Sequence, residues 1–192
     1  MDPTPEELLV NHDDPIDRLL AEHVDLMARL APLRAAVKQL ASAGSDALEP
    51  LLPSLRAAAL LLTTDLIAHA RREDDVFFPA VEAAVGEPFG PTTVMRSEHA
   101  EIHAGADRFR DTLRELNEVQ HPAIVAGGQE LRALVERAPD AKALVTLAGP
   151  LLALIDDHFA KEEQVLFPMS RQLLSPAALR DVAARMAQLD AS

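Results

Sequence analysis

His69-Ala-Arg-Arg-Glu73-Asp-Asp-Val-Phe-Phe-Pro79 and His158-Phe-Ala-Lys-Glu162-Glu-Gln-Val-Leu-Phe-Pro168 are two copies of one segment. Five of the eleven positions are identical, and Arg72/Lys161, Asp74/Glu163 and Phe77/Leu166 keep their character. A weaker pair precedes them, with Glu22-His23-Val-Asp-Leu-Met27 matching Glu98-His99-Ala-Glu-Ile-His103. The chain therefore reads as a duplicated helical pair. Residues four apart on a helix lie one turn apart on the same face. His69/Glu73, His99/His103 and His158/Glu162 are then three chelating faces, and His23 adds a donor from the remaining helix. Each of these residues lies on or near an apolar stripe. Burying an imidazole or carboxylate without a partner costs on the order of 1 to 3 kcal/mol. Seven such groups facing one interior make sense if they bind something, and the duplication makes the expected site dinuclear.

The helical reading extends outward from these segments. Asp13-Asp14-Pro15 is a capping aspartate followed by a proline at the first helical position. Ile16, Leu19, Leu20, His23, Leu26, Met27, Leu30, Leu33 and Val37 follow at helical spacing, so a first helix is expected over about 15–40. Residues 41–50 read as a loop, with Ser54 capping a second helix that Pro79 should kink or end. Gly86-Glu-Pro-Phe-Gly-Pro91 separates the halves. A third helix is expected over about 92–117. His23 to His69 spans 46 positions whereas His99 to His158 spans 59, so the second half holds an insertion, read as a short helix at Gln129 to Arg137. A fourth long helix over about 141–174 is expected to bend at Gly149-Pro150. Ser175-Pro176 then opens a C-terminal helix ending near Leu189. The expected fold class is all-α: an up-down-up-down four-helix bundle with a short inserted helix and a C-terminal helix. It is read as one domain over residues 1–192, with its core at about 12–172.

Composition agrees. Of 192 residues 48% are hydrophobic but only 3% aromatic, so Leu, Ala and Val must fill the core, and Ala and Leu favour helix. A net charge of −13 would repel a phosphate backbone, which excludes nucleic acid as a partner. The longest apolar run, near Ala143 to Ile155, is broken by Thr146 and Gly149-Pro150 and falls short of the ~20 residues of a membrane span. No secretory signal is visible at Met1-Asp-Pro-Thr-Pro-Glu-Glu. The absence of cysteine excludes thiolate zinc sites, iron–sulfur clusters and disulfides, and agrees with a cytoplasmic location. His12 and His121 lie outside the repeat and read as solvated.

The donor set bears on the metal. Imidazole suits several divalent ions, whereas two bridging carboxylates with five nitrogens suit paired iron best. Two six-coordinate irons need twelve ligand positions. Five imidazoles, two bridging carboxylates and a bridging oxide or hydroxide fill eleven of them. In the repeat His103 corresponds to Met27, a poor ligand for hard ferric iron, so the vacancy falls on the ion of His23 and His69.

With its histidines and glutamates in this order, and with both Phe-Pro endings (Phe78-Pro79 and Phe167-Pro168), the chain resembles the hemerythrin-like (HHE cation-binding) domains over roughly residues 12–170. The resemblance implies one iron on His99, His103 and His158, a second on His23 and His69, and bridges from Glu73 and Glu162. The oxygen-carrying hemerythrins take their last carboxylate five residues after its histidine, which here is Glu163. The repeat and the i+4 spacing favour Glu162 and send Glu163 towards solvent or a supporting role. Two carboxylates and five neutral imidazoles leave the reduced pair positively charged, which favours reversible binding or two-electron exchange over attack on carbon–hydrogen bonds. The absence of Tyr argues against a radical enzyme. The expected function is a soluble di-iron protein binding dioxygen or a related small oxidant. The alternatives are an enzyme that disproportionates hydrogen peroxide or handles nitric oxide, and an iron-handling or stress-response factor whose activity needs a partner; the sequence does not name a redox partner.

Overall fold

The computed structural model describes residues 14–86, 90–125 and 141–191, with the backbone alone described over 116–125. The expected helix at Gln129 to Arg137 and His12 lie outside the described residues, and His121 falls on the stretch of which only the backbone is described. Every regular element among the described residues is helical. They are α1 (Pro15–Ala43), a 3₁₀ turn (Gly44–Ala47), α2 (Leu48–Thr63), α3 (Asp65–Arg72), a π-helical turn (Glu73–Phe77), α4 (Phe78–Val85) and α5 (Gly90–Val125). After these come α6 (Ala141–Lys161), a second π-helical turn (Glu162–Leu166), α7 (Phe167–Leu173) and α8 (Pro176–Asp190).

The helix starts follow local chemistry. Asp14 Oδ1 accepts from the backbone N–H groups of Ile16 and Asp17, at 2.8 and 3.2 Å, so Asp14 caps α1. Ser175 caps α8 in the same way, accepting from Ala178 N at 3.2 Å with Pro176 at the first position.

Several boundaries differ from expectation. Residues 41–50 are not a loop: α1 continues to Ala43, and the chain turns through Gly44 at φ 63° into the 3₁₀ turn. Ser54 lies inside α2, which begins six residues earlier at Leu48. Thr64 separates α2 from α3. The third helix is longer than expected, Gly90–Val125. The fourth helical run passes through Pro150, as expected.

Pro79 and Pro168 do not end the helical run. A proline within a helix lacks the N–H for its i−4 carbonyl and crowds that carbonyl. Both copies of the repeat answer by widening: Phe78 N–H bonds to Glu73 O, and Phe167 N–H to Glu162 O, each five residues back. The carbonyls released beside Pro79 find guanidinium donors. Arg96 donates to Asp74 O at 2.7 Å and Arg185 to Asp75 O at 3.4 Å.

The chain forms two compact units. One comprises the chain up to Ala28, Leu66–His99 and the chain from Asp157 onward. Its apolar core contains Ile16, Leu19, Val76, Phe77, Phe78, Val81, Met95, Leu166, Phe167, Val182 and Met186. α8 therefore contributes Val182 and Met186 to the same cluster that holds both Phe-Pro segments. The other unit, Arg29–Asp65 with Ala100–Asp156, buries mainly leucine and alanine around Phe109. There Gly105 allows a close approach, since a Cβ would stand 2.9 Å from Leu151 Cδ1.

By length and composition, two helical runs, Pro15–Val85 and Ala141–Leu173, are apolar enough to cross a membrane. Thr146 and Gly149-Pro150 thus do not disqualify the second run, contrary to expectation. Core helices meet the same criterion, and both runs carry histidine and glutamate on buried faces.

Candidate metal centre

The two repeated segments supply the centre of the first unit. α3 carries His69 and leads into the turn that begins with Glu73; α6 carries His158 and leads into the turn that begins with Glu162. His23 comes from α1 and His99 from α5. All six side chains are buried, and Glu73 and Glu162 are 0% exposed. An exposed charged face would require the opposite. The neighbouring cations are engaged elsewhere: Arg72 pairs with Glu22 and Asp190, and Lys161 with Glu98 and Asp157.

The six converge as two groups that share both carboxylates: His23, His69, Glu73 and Glu162, and Glu73, His99, His158 and Glu162. Within each group one donor atom per residue lies within 4.8 Å of all the others. Glu162 presents Oε2 to His23 Nε2 at 3.3 Å and Oε1 to His158 Nε2 at 3.4 Å. Glu73 Oε2 stands 3.4 Å from His69 Nε2 and 3.3 Å from His99 Nε2. Each carboxylate thus faces both groups, as a bridging ligand must.

Four oxygens from two buried carboxylates meet here, and none accepts a hydrogen bond from any described residue. His158 Nε2 is likewise buried without one. Leaving such groups unsatisfied is costly, and buried charges are ordinarily paired or bound to metal. The spacing also fits. His23 Nε2 and His69 Nε2 are 3.0 Å apart. Two nitrogens bound at right angles to one ion at ~2.1 Å would also stand ~3 Å apart. The donor set and its geometry therefore suit a pair of cations.

The outward nitrogen of every inward imidazole meets a carboxylate. Nδ1 of His69 donates to Glu22 at 2.8 Å, that of His99 to Asp74 at 3.0 Å, that of His158 to Glu98 at 3.0 Å and that of His23 to Glu163 at 2.9 Å. These bonds hold the Nε2 atoms towards the centre. Aromatic rings close the site against water. Phe159 stacks on His23 with centroids 3.8 Å apart and a 9° tilt, and Phe78 lies at 12° to His99.

The electrostatics describe a cluster that retains protons when no metal is present. Burial, and then the charge of Glu73, push Glu162 up to about 8. Burial also acts to raise Glu73, but the charges of His69 and His99 outweigh it and hold Glu73 down to about 2. Two carboxylates sharing a site do not ionise together, so the pair divides in this way. Burial opposes the charge on His99, yet Asp74 and Glu73 raise it to about 10. Burial and the charge on His99 lower His158 to about 4.

Of the seven residues expected from the sequence, six are brought together. His103, one turn beyond His99 on α5 and half-buried, is in neither group. Glu162 is the inward carboxylate, and Glu163 is 44% exposed and serves His23 from outside. Sequence reasoning missed Glu22, Asp74 and Glu98. The signal was present, because in both copies each of these acids stands directly beside a histidine or glutamate of the site. Met27 is half-buried on α1.

The hemerythrin HHE cation-binding domain matches residues 14–120 of the chain. The matched stretch includes His23, His69, Glu73, His99 and His103 and stops short of His158 and Glu162, which the internal repeat and the geometry supply. Among curated proteins no relative matches. The match covers more than half of the 192 residues and includes the first copy of the repeat, so the chain belongs to the hemerythrin HHE cation-binding domain family.

Proposed function

We propose that this protein is an up-down-up-down helical bundle holding two iron ions, and that it binds dioxygen or a related small oxidant at an open position on one of them. One observation carries the reading: Glu73 and Glu162, fully buried and without hydrogen bonds, stand between four inward-facing imidazole nitrogens. His23 and His69 would hold one ion, His99 and His158 the other, and the two glutamates would bridge. Iron bound there would supply reversible binding of, or two-electron exchange with, a small oxidant. The six side chains fill eight positions and a bridging oxide or hydroxide two more, so at least one of the twelve stays open. His103 is the sequence-based candidate for an eleventh.

The chain's own residues do the rest. The four outer carboxylates orient the imidazoles. Phe78 and Phe159 keep water away from the rings. Four neutral imidazoles and two carboxylates would leave a reduced, hydroxide-bridged pair with a net positive charge, which would favour reversible binding.

Metal analysis of protein purified without added metal, together with an optical spectrum, tests the reading. Two irons per chain and a visible band that bleaches reversibly under vacuum support the binding function. Rapid gas evolution on adding peroxide would instead support a catalase-like enzyme. Replacing His69 or Glu73 by alanine is expected to lose iron; two irons retained in both variants would overturn the site.

A further inference from the structure

The four outer acids follow a pattern. Glu22 on α1 accepts from His69 on α3, and Asp74, in the turn after α3, accepts from His99 on α5. Glu98 on α5 accepts from His158 on α6, and Glu163, in the turn after α6, accepts from His23 on α1. Each acid is the immediate chain neighbour of a residue in the centre: Glu22 of His23, Asp74 of Glu73, Glu98 of His99 and Glu163 of Glu162. The contacts pass from segment to segment in chain order, and the last returns to the first.

We propose that Glu22, Asp74, Glu98 and Glu163 form a closed ring of positioning residues, each fixing one imidazole with its Nε2 aimed at the centre. The proposal rests on the metal-centre reading and goes beyond the ligand set. One step along a helix turns a side chain by about 100°. An acid beside a ligand therefore leaves the centre and reaches towards a neighbouring helix. Every segment both supplies a donor to the centre and braces the donor of the next segment. An anionic acceptor on Nδ1 also fixes the tautomer and makes Nε2 a stronger donor.

The ring is not uniform. Glu98 is 13% exposed and Glu163 is 44% exposed. Water screens the charge of Glu163 more, so its grip on His23 is the weaker one. Glu22 lies between, at 23%, and is shared with Arg18 and Arg72, both held in turn by Asp190 of α8. The C-terminal helix thereby reaches the His69 corner through two guanidinium groups.

Glu98→Gln and Glu163→Gln test the ring, since glutamine keeps the size and an acceptor oxygen while removing the charge. Iron release to a chelator is followed in both variants and the parent chain, with metal-free unfolding midpoints as a control for the fold. Glu98→Gln is expected to release one of the two ions about 10 to 100 times faster with an unchanged midpoint. Glu163→Gln should show a smaller acceleration. Parent-like release of both ions from Glu98→Gln, or equal acceleration of both, would overturn the proposal. A ¹⁵N spectrum of the metal-free parent protein separates this from failure of the metal reading. The ring requires the His158 proton on Nδ1 even if the parent chain binds no iron, and a proton found on Nε2 alone would refute it.

Discussion

Raising the pH of the metal-free protein from 6.5 to 8 should destabilise it, and the extent follows from two groups. Glu162 is raised in the folded chain to about 8, and His99 to about 10. Free carboxyls titrate near 4.3 and free imidazoles near 6.5. Between pH 6.5 and 8 the folded chain therefore holds two protons that the unfolded chain has released. Stability then falls with rising pH by about 1.4 kcal/mol per proton per unit. Two protons give a slope of at most about 3 kcal/mol per pH unit, and above pH 8 only the His99 contribution persists. The lowered groups act in the opposite sense and in other windows. His158, at about 4, adds stability as pH rises from 4 to 6.5, and Glu73, at about 2, does so below 4.5. From 4.5 to 6.5, Glu162 and His158 offset one another, so the curve should be flat there and fall beyond. Metal must displace the same protons. Iron loading at pH 7 should release about two protons per chain and remove the slope. Urea unfolding at pH 6.5 and 8, with and without iron, measures the first effect, and a pH-stat under nitrogen measures the second. Glu162→Gln should halve the slope. Metal-free stability that is level from pH 6.5 to 8, with no proton released on loading, would refute the shared-proton account.

Other expectations follow from single residues. Met27→His should place a donor one turn beyond His23, keep both irons and suppress binding of the small ligand; unaltered binding spectra would show that the open position lies elsewhere. His103→Ala should reduce iron content less than His99→Ala does, because His99 and not His103 lies in a converging group; equal losses by metal analysis would contradict this. Phe167→Ala should lower stability by about 3 to 5 kcal/mol, since the ring is 2% exposed in the cluster that joins both repeats to α8. Denaturant unfolding checks it, and a loss below about 1 kcal/mol would mean that the site collapses around the missing ring.

How much was legible in the sequence depended on how local each feature is. Asp14 and Ser175 work as caps because a cap involves only the next three residues. Residues 41–50 were misread because serine, glycine and proline suggest a loop, yet Pro50 lies in the first turn of α2, where no N–H is needed. Pro79 was expected to kink or end its helix, and there the chain widens by one residue and stays helical, with Arg96 as a donor to the Asp74 carbonyl.

The metal centre divides in the same way. Spacing by four residues on a helix places His69 with Glu73, and His158 with Glu162, without reference to the rest of the chain, and the duplication then implies two equivalent groups. Sequence by itself thus determined the helical class, the inward donors of each segment and the preference for Glu162 over Glu163. Only the tertiary structure decided that both glutamates are fully buried, without hydrogen bonds and shared between the groups, and that His103 is in neither. It alone decided the partners of Glu22, Asp74, Glu98 and Glu163 as well. An acid one step from a ligand points away from its own helix face, and whether it meets water or a neighbour's imidazole depends on where the other helices pass.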